Sequence, residues 1–195
     1  FAILPQIEQG NLYQTFNVNL PSWNAANATS AAKPIPFYLC PSAVNPGPTY
    51  SVVNSGGTVL ATFSRSNYVA NAGRNDVWHG ASVVAAVDLS TLADGPFYRN
   101  SRTKISDITD GTSSTVFFGE QTPFHSDSTW VGIVPDSVTC PTPKFAYALC
   151  DAAAPQINVH SGRADHWVDS DEFPPIIHTP NGNSGKVDEM YSQHG

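Results

Sequence analysis

The stretch Ser66-Asn-Tyr-Val-Ala-Asn-Ala-Gly73 alternates polar and apolar side chains and ends in glycine. This period of two places alternate side chains on opposite faces of an extended chain and is typical of a half-buried β-strand. A second stretch, Thr112-Ser-Ser-Thr-Val-Phe-Phe-Gly-Glu120, has β-branched and aromatic residues at its centre and is the most strand-like part of the chain. Together the two stretches predict a β-sheet.

The beginning of the chain has a helical pattern instead. Ile3, Leu4 and Ile7 recur at helical spacing, Pro5 suits a first helical turn, and Gly10 suits a break. We therefore expect one short N-terminal helix, broken at Gly10, that packs on the sheet.

The remaining segments predict loops and short strands. Residues 36–41 are a short apolar run closed by prolines, which predicts an edge strand, and residues 43–58 predict a loop. Residues 121–160 alternate turns with short apolar pieces. One helix followed by many short strands predicts an α+β fold with helix and sheet segregated, and a length of 195 residues suits a single domain.

Charge and composition exclude some classes of function. The formal net charge is −7, and nine Lys and Arg residues are too few to build the basic face that nucleic acid requires. The same charge disfavours binding to an anionic membrane surface. Only 13% of the residues are charged, and 16 Pro and 14 Gly indicate a loop-rich protein with much strand rather than a helical bundle.

The chain has three cysteines, Cys40, Cys140 and Cys150, so they form at most one pair. Cys140 and Cys150 are compatible with a locally closed disulfide loop, which would imply an oxidising compartment, or with two buried thiols. No Cys-x-x-Cys pair occurs, which excludes a zinc ribbon and a thioredoxin-type motif.

A candidate metal site lies near the end of the chain, where Asp165, His166, Asp169 and Asp171 are close in sequence. The spacing of Asp169 and Asp171 suits Ca²⁺, which prefers oxygen ligands, whereas histidine with carboxylate suits Zn²⁺. The segment contains neither a His-Glu-x-x-His motif nor an EF-hand loop. The alternative is an acidic loop that is simply solvated.

Nucleophilic catalysis has little support in the sequence. No Gly-x-Ser-x-Gly elbow occurs, and Cys40 before Pro41 lacks the context of a papain-type nucleophile. Asp110 before Gly111 predicts a tight turn, with a metal carboxylate as the alternative. Glu120 is expected either at an exposed sheet edge or held by backbone N–H groups. Tryptophans such as Trp130 favour core packing over sugar stacking.

Several segments together resemble a known bacterial family. They are residues 4–13, Phe37-Tyr-Leu-Cys-Pro-Ser42, residues 66–73, residues 107–115 with Phe118-Gly-Glu120, and Asp165-His-Trp167, in that order. The chain resembles prepilin-like proteins that carry an N-terminal cleavage and methylation signal and end in a module of His, nine residues and Asp-Gly. Members are described as type II secretion or type IV pilin-like proteins.

The resemblance implies a pseudopilin-like head with a helix packed on an antiparallel sheet. It implies an apolar anchoring helix before Phe1, a terminal module that starts near His194, and a variable insertion at residues 121–160. The expected role is that of a structural subunit of a pilus, pseudopilus or cell-surface assembly, without catalysis. Its partners would be other pilin-like subunits, its location periplasmic or at the cell surface, and its membrane attachment only through the preceding helix.

Other functions remain open at this point. One is an extracellular ligand-binding or glycan-binding module with a loop-bound metal ion, for which Ca²⁺ is the candidate cofactor. Another is a metal-dependent hydrolase. The resemblance transfers no catalytic residues.

Overall fold

The computed structural model describes residues 2–73, 93–98, 100–142, 150–152, 156–159, 180–181, 187 and 189–194. Within these residues, short helices accompany two small β-sheets, which confirms the predicted α+β class. The α-helices of the described part are α1 (Gly10–Gln14) and α2 (Ala28–Ala31). Its strands are β1 (Thr49–Asn54), β2 (Val59–Ser64), β3 (Tyr68–Asn71), β4 (Phe118–Glu120), β5 (Ser137–Thr139), β6 (Asp151–Ala152) and β7 (Asn158–Val159). Short 3-10 helices cover Leu4–Ile7, Ala25–Asn27, Pro36–Tyr38, Ile105–Asp107 and Thr112–Ser114.

The first sheet has the strand order β2-β1-β5-β6, and its neighbouring strands are antiparallel. The second sheet has the order β4-β3-β7, in which β3 pairs antiparallel with β4 and parallel with β7. The strand predicted within residues 66–73 is confirmed as β3. Its alternation has the expected consequence, because Val69 and Asn71 are buried whereas Tyr68 is exposed.

The N-terminal helices pack against the first sheet, as predicted. Leu4 and Phe16 share a buried core with Tyr50 and Val52 of β1. Residues two apart in a strand face the same side, so both β1 side chains reach the helices. The helix is interrupted as expected, but at Glu8, which adopts a left-handed φ of 62°, and not at Gly10, which is the first residue of α1.

Three local predictions are wrong. Residues 36–41 are not an edge strand, because Pro36 begins a 3-10 helix whose first turn suits the fixed φ of proline. Residues 43–58 are not entirely loop, since they include the whole of β1 and its buried alternate positions. Residues 112–120 form a strand only from Phe118 onward, because Gly111, with a φ of 84°, leads into a 3-10 helix instead.

The two sheets are joined by the buried residues Arg65, Ser66 and Asn67, which connect β2 directly to β3. Arg65 forms an ion pair with Asp127. Residues 121–160 supply β5, β6 and β7, so both sheets draw strands from this region. None of the helices in the described ranges has the length and apolar character needed to cross a bilayer.

Candidate functional site

Segments that are far apart in sequence meet beside the second sheet. Cys40 follows the 3-10 helix at residues 36–38, and Glu120 ends β4. The segment that carries His194 runs along β4, where Gln121 and Tyr191 form a parallel bridge. Cys40 and His194 are 154 positions apart, yet Sγ of the one lies 3.3 Å from Nε2 of the other.

The side chains converge on a single ring nitrogen. His194 Nε2 lies 3.3 Å from Cys40 Sγ, 3.3 Å from Ser42 Oγ and 3.3 Å from Glu120 Oε1. Ser42 Oγ is also 3.4 Å from Cys40 Sγ. We call Cys40, Glu120 and His194 the Cys-Glu-His cluster; their ligand-type atoms all lie within 4.8 Å of one another.

Asn67 fixes the position of the Cys40 backbone. Its Oδ1 accepts a hydrogen bond from the Cys40 N–H at 2.9 Å, and its Nδ2 donates to Asn45 Oδ1 at 3.1 Å and to the Gln121 carbonyl at 3.4 Å. Its own N–H donates to the Tyr38 carbonyl at 2.7 Å. Because Asn67 has no solvent exposure, one buried side chain ties the cysteine segment to the end of β4.

The carboxylate and the histidine are held by Ser192. Its Oγ donates to Glu120 Oε2 at 2.5 Å and accepts from the His194 N–H at 3.1 Å. Gly119 leaves room for the buried side chain of Met190, which would overlap a Cβ at that position and would have to shift. The cluster therefore rests on packing that a larger side chain at position 119 would disturb.

The contacts within the cluster favour a negatively charged Cys40 and a positively charged His194. The hydrogen bond from Ser42 and the contact with His194 lower the pKa of the Cys40 thiol, against the opposing effect of burial. Contact with Cys40, followed by the negative charge of Glu120, raises the pKa of His194. Burial and the nearby Cys40 also raise the pKa of Tyr68. These directions favour a thiolate, which is the form of cysteine that attacks electrophiles and binds metals.

The sequence profile of a family described as "Protein of unknown function (DUF1559)" matches residues 1–195. The chain belongs to this family. No curated protein and no solved structure matches the chain significantly.

The geometry of this DUF1559 chain does not have the order of a catalytic relay. In a Cys-His-carboxylate relay, one ring nitrogen faces the nucleophile and the other is held by the carboxylate. Here Cys40 and Glu120 face the same nitrogen of His194. Three ligand-type atoms within 4.8 Å of one another form a group that could hold a metal ion.

The metal site predicted from the sequence is a different one. Asp165, His166, Asp169 and Asp171 lie outside the described residues, so this prediction and its Ca²⁺ stay predictions. Within the described part of the chain, the group of metal-ligand type is the Cys-Glu-His cluster. Its thiol and imidazole do not suit Ca²⁺, which takes oxygen ligands.

Other sequence predictions have clear outcomes in the DUF1559 chain. Cys140 and Cys150 form a disulfide, which decides between the two alternatives for this pair. Trp130 stacks on Tyr38 with ring centroids 5.9 Å apart and packs against the core between the N-terminal helices and the first sheet, as predicted. Asp110 is exposed in a turn. Glu120 is neither at a solvated edge nor held by backbone N–H groups, because its partners are side chains.

Sequence reasoning missed the cluster as a unit. The sequence alone presents Cys40 as a possible nucleophile and Glu120 as a lone carboxylate. The signal was present in the segments that carry the family resemblance. One residue of metal-ligand type lies in each of the segments 37–42, 118–120 and 191–195.

Proposed function

We propose that this chain is the head of a pilin-like structural subunit in a pilus, pseudopilus or cell-surface assembly. In this role the chain performs no catalysis, and its partners are other pilin-like subunits. Attachment to the membrane is through a helix that precedes the head, and the head faces the periplasm or the exterior.

One observation carries the proposal: the segments that resemble prepilin-like proteins pack together. Residues 37–42, 66–73 and 118–120 meet the segment 191–194 through Asn67 and the Cys-Glu-His cluster. Residues that join distant segments in this way stabilise the folded head, and a structural subunit requires a stable head.

Two further observations support the proposal. The N-terminal helices pack on an antiparallel sheet, which is the arrangement expected of a pseudopilin-like head. The Cys140–Cys150 disulfide suits an oxidising compartment such as the periplasm or cell surface. Repeated assembly of such heads would be heterologous and would form a filament rather than a closed ring.

The test is expression of the full gene in its bacterial host, followed by fractionation, mass spectrometry of the N-terminus and chemical cross-linking. We expect a processed N-terminus, recovery in the sheared surface or membrane fraction, and a cross-linked ladder of subunits. A strain that lacks the prepilin-processing peptidase is the control and should accumulate the precursor. An unprocessed, monomeric and cytosolic product would refute the proposal.

A second candidate is an extracellular ligand-binding module. The observation that favours it is a shallow pocket beside His194, lined by the aromatic side chains of Phe124 and Tyr191. Glycan-array binding that is lost in EDTA and in a Tyr191→Ala variant would support this function. Absence of binding on the array, together with filament assembly, would reject it.

A further inference from the structure

His194 Nε2 has more close polar neighbours than one ring nitrogen can satisfy. A neutral imidazole nitrogen offers either one proton or one lone pair, yet Cys40 Sγ, Ser42 Oγ and Glu120 Oε1 all lie 3.3 Å away. Three electron-rich ligand atoms that lie within 4.8 Å of one another are stabilised when a cation lies among them. We propose that the Cys-Glu-His cluster binds one zinc-type divalent transition-metal ion.

The distances from His194 Nε2 to the other two ligand atoms fit this ion. Zinc lies about 2.3 Å from sulfur and about 2.0–2.1 Å from nitrogen or oxygen, so ligands at the corners of a tetrahedron are about 3.3–3.6 Å apart. The contacts from His194 Nε2 to Cys40 Sγ and to Glu120 Oε1 are both 3.3 Å. The third pair, Cys40 Sγ and Glu120 Oε1, lies within 4.8 Å. Ser42 Oγ, 3.4 Å from Sγ and 3.3 Å from Nε2, lies where a fourth ligand belongs.

The donor set selects the class of metal. Thiolate and imidazole favour zinc and other transition metals, whereas Ca²⁺ and Mg²⁺ require oxygen ligands. Cys40 is the free thiol among the three cysteines, because Cys140 and Cys150 are bonded to each other. A thiolate in the coordination sphere of a bound metal thus identifies Cys40 without any substitution.

The ligands are held in place before the ion arrives. Glu120 Oε1 is enclosed, and within the described part of the chain it accepts no hydrogen bond and faces His194 Nε2. Glu120 Oε2 accepts from Ser192, and Asn67 holds the backbone of Cys40. Outer partners of this kind orient metal ligands and raise metal affinity.

The proposed ion has an evident structural consequence. It would bond the cysteine segment, the end of β4 and the segment that carries His194, which are otherwise joined by hydrogen bonds. The side chain of His194 is 43% exposed, so the ion reaches the cluster from solvent. This inference goes beyond the proposed function and does not depend on it.

The first test is titration of the metal-stripped chain of residues 1–195 with Co²⁺, followed by displacement with Zn²⁺. The chain is kept free of reductant so that the disulfide stays intact, and a thiol assay should count one free cysteine. We expect saturation at one Co²⁺ per chain, tetrahedral d–d absorption and a thiolate-to-cobalt charge-transfer band that Zn²⁺ abolishes. Binding without that band, or no saturable binding, overturns the proposal.

The second test uses variants of the ligands and a matched control. Cys40→Ser, Glu120→Gln and His194→Ala should each weaken Zn²⁺ binding more than about 100-fold, and Ser192→Ala about 10-fold, because outer partners alone contribute 10–100-fold. Glu8→Gln makes the same charge change on an exposed residue and should leave the affinity unchanged.

Circular dichroism of the metal-free variants shows whether each variant is folded. If a variant does not fold, the charge-transfer band of the unsubstituted chain still shows whether a thiolate binds the metal. Zinc affinity that survives Cys40→Ser and His194→Ala but is lost in Asp165→Asn with His166→Ala places the ion in the 165–171 segment. That result rejects the Cys-Glu-His cluster as the site.

Discussion

Asn67→Ala should be among the most destabilising single substitutions in this chain. The side chain is fully buried and accepts the Cys40 N–H at 2.9 Å while donating to Asn45 and to the Gln121 carbonyl. Alanine leaves the buried Cys40 N–H without its acceptor, which costs about 1–3 kcal/mol. It also removes three further hydrogen bonds, two with Asn45 and one with the Gln121 carbonyl. Together these contribute about 2 kcal/mol, because the half-buried Asn45 can bond water instead. The expected loss in the free energy of unfolding is about 3–5 kcal/mol.

The assay is urea unfolding followed by circular dichroism, with no reductant. Taking an m-value of about 2 kcal/mol/M, the midpoint should fall by about 2 M. Asn19→Ala makes the same chemical change at an exposed position and should shift stability by less than about 0.5 kcal/mol. If the two variants unfold at the same urea concentration, the hydrogen bonds of Asn67 do not stabilise the contact between the Cys40 segment and the end of β4.

Three other predictions concern residues outside the cluster. Asn27→Ala should lower the free energy of unfolding, measured in urea, by about 2–4 kcal/mol. The reason is that this buried side chain accepts a hydrogen bond from one backbone N–H and donates to several carbonyls of residues 17–21. A loss below about 1 kcal/mol would contradict this reasoning. Burial raises the pKa of Tyr50 well above its ordinary value. As the pH rises above about 10, the unfolded chain therefore loses the phenolic proton before the folded chain does. The free energy of unfolding then falls by at most about 1.4 kcal/mol per pH unit. Tyr50→Phe should flatten that dependence in unfolding curves at alkaline pH, and an unchanged slope would contradict this account of Tyr50. Gly119→Ala should destabilise the chain by about 1–3 kcal/mol and lower its melting temperature, because the new Cβ would displace the buried Met190 side chain. Gly10→Ala, whose Cβ meets nothing within 4 Å, is the control, and equal melting temperatures for the two variants would contradict the predicted displacement.

The sequence predicts the class of fold because local patterns determine much of it. The alternation of residues 66–73 predicts β3, and the helical spacing at the N-terminus predicts a helix that packs on the sheet. The same kind of evidence misleads at residues 36–41. Apolar residues between prolines are compatible with an edge strand or a 3-10 helix, and tertiary contacts select the second. The buried alternate positions of β1, Tyr50 and Val52, were an available signal within a segment otherwise rich in turn residues.

The candidate site could not be predicted in the same way, because nothing local places Cys40 beside His194. Their contact follows from the backbone hydrogen bond between Tyr191 and Glu120 and from the hydrogen bonds of Asn67 to Cys40 and Gln121. A sequence pattern can predict a metal site only from residues that are close in sequence, such as the acidic residues and histidine of the segment 165–171. A site assembled from single residues in separate segments becomes visible only when the tertiary structure brings them together.

The central claim is that these separate segments meet at one metal centre. X-ray absorption spectroscopy at the zinc edge, recorded on the zinc-loaded chain, tests it most directly. We predict one sulfur ligand at about 2.3 Å, with the remaining ligands nitrogen or oxygen at about 2.0–2.2 Å. A spectrum that is described fully by nitrogen and oxygen ligands would contradict the claim, because Cys40 would then lie outside the coordination sphere.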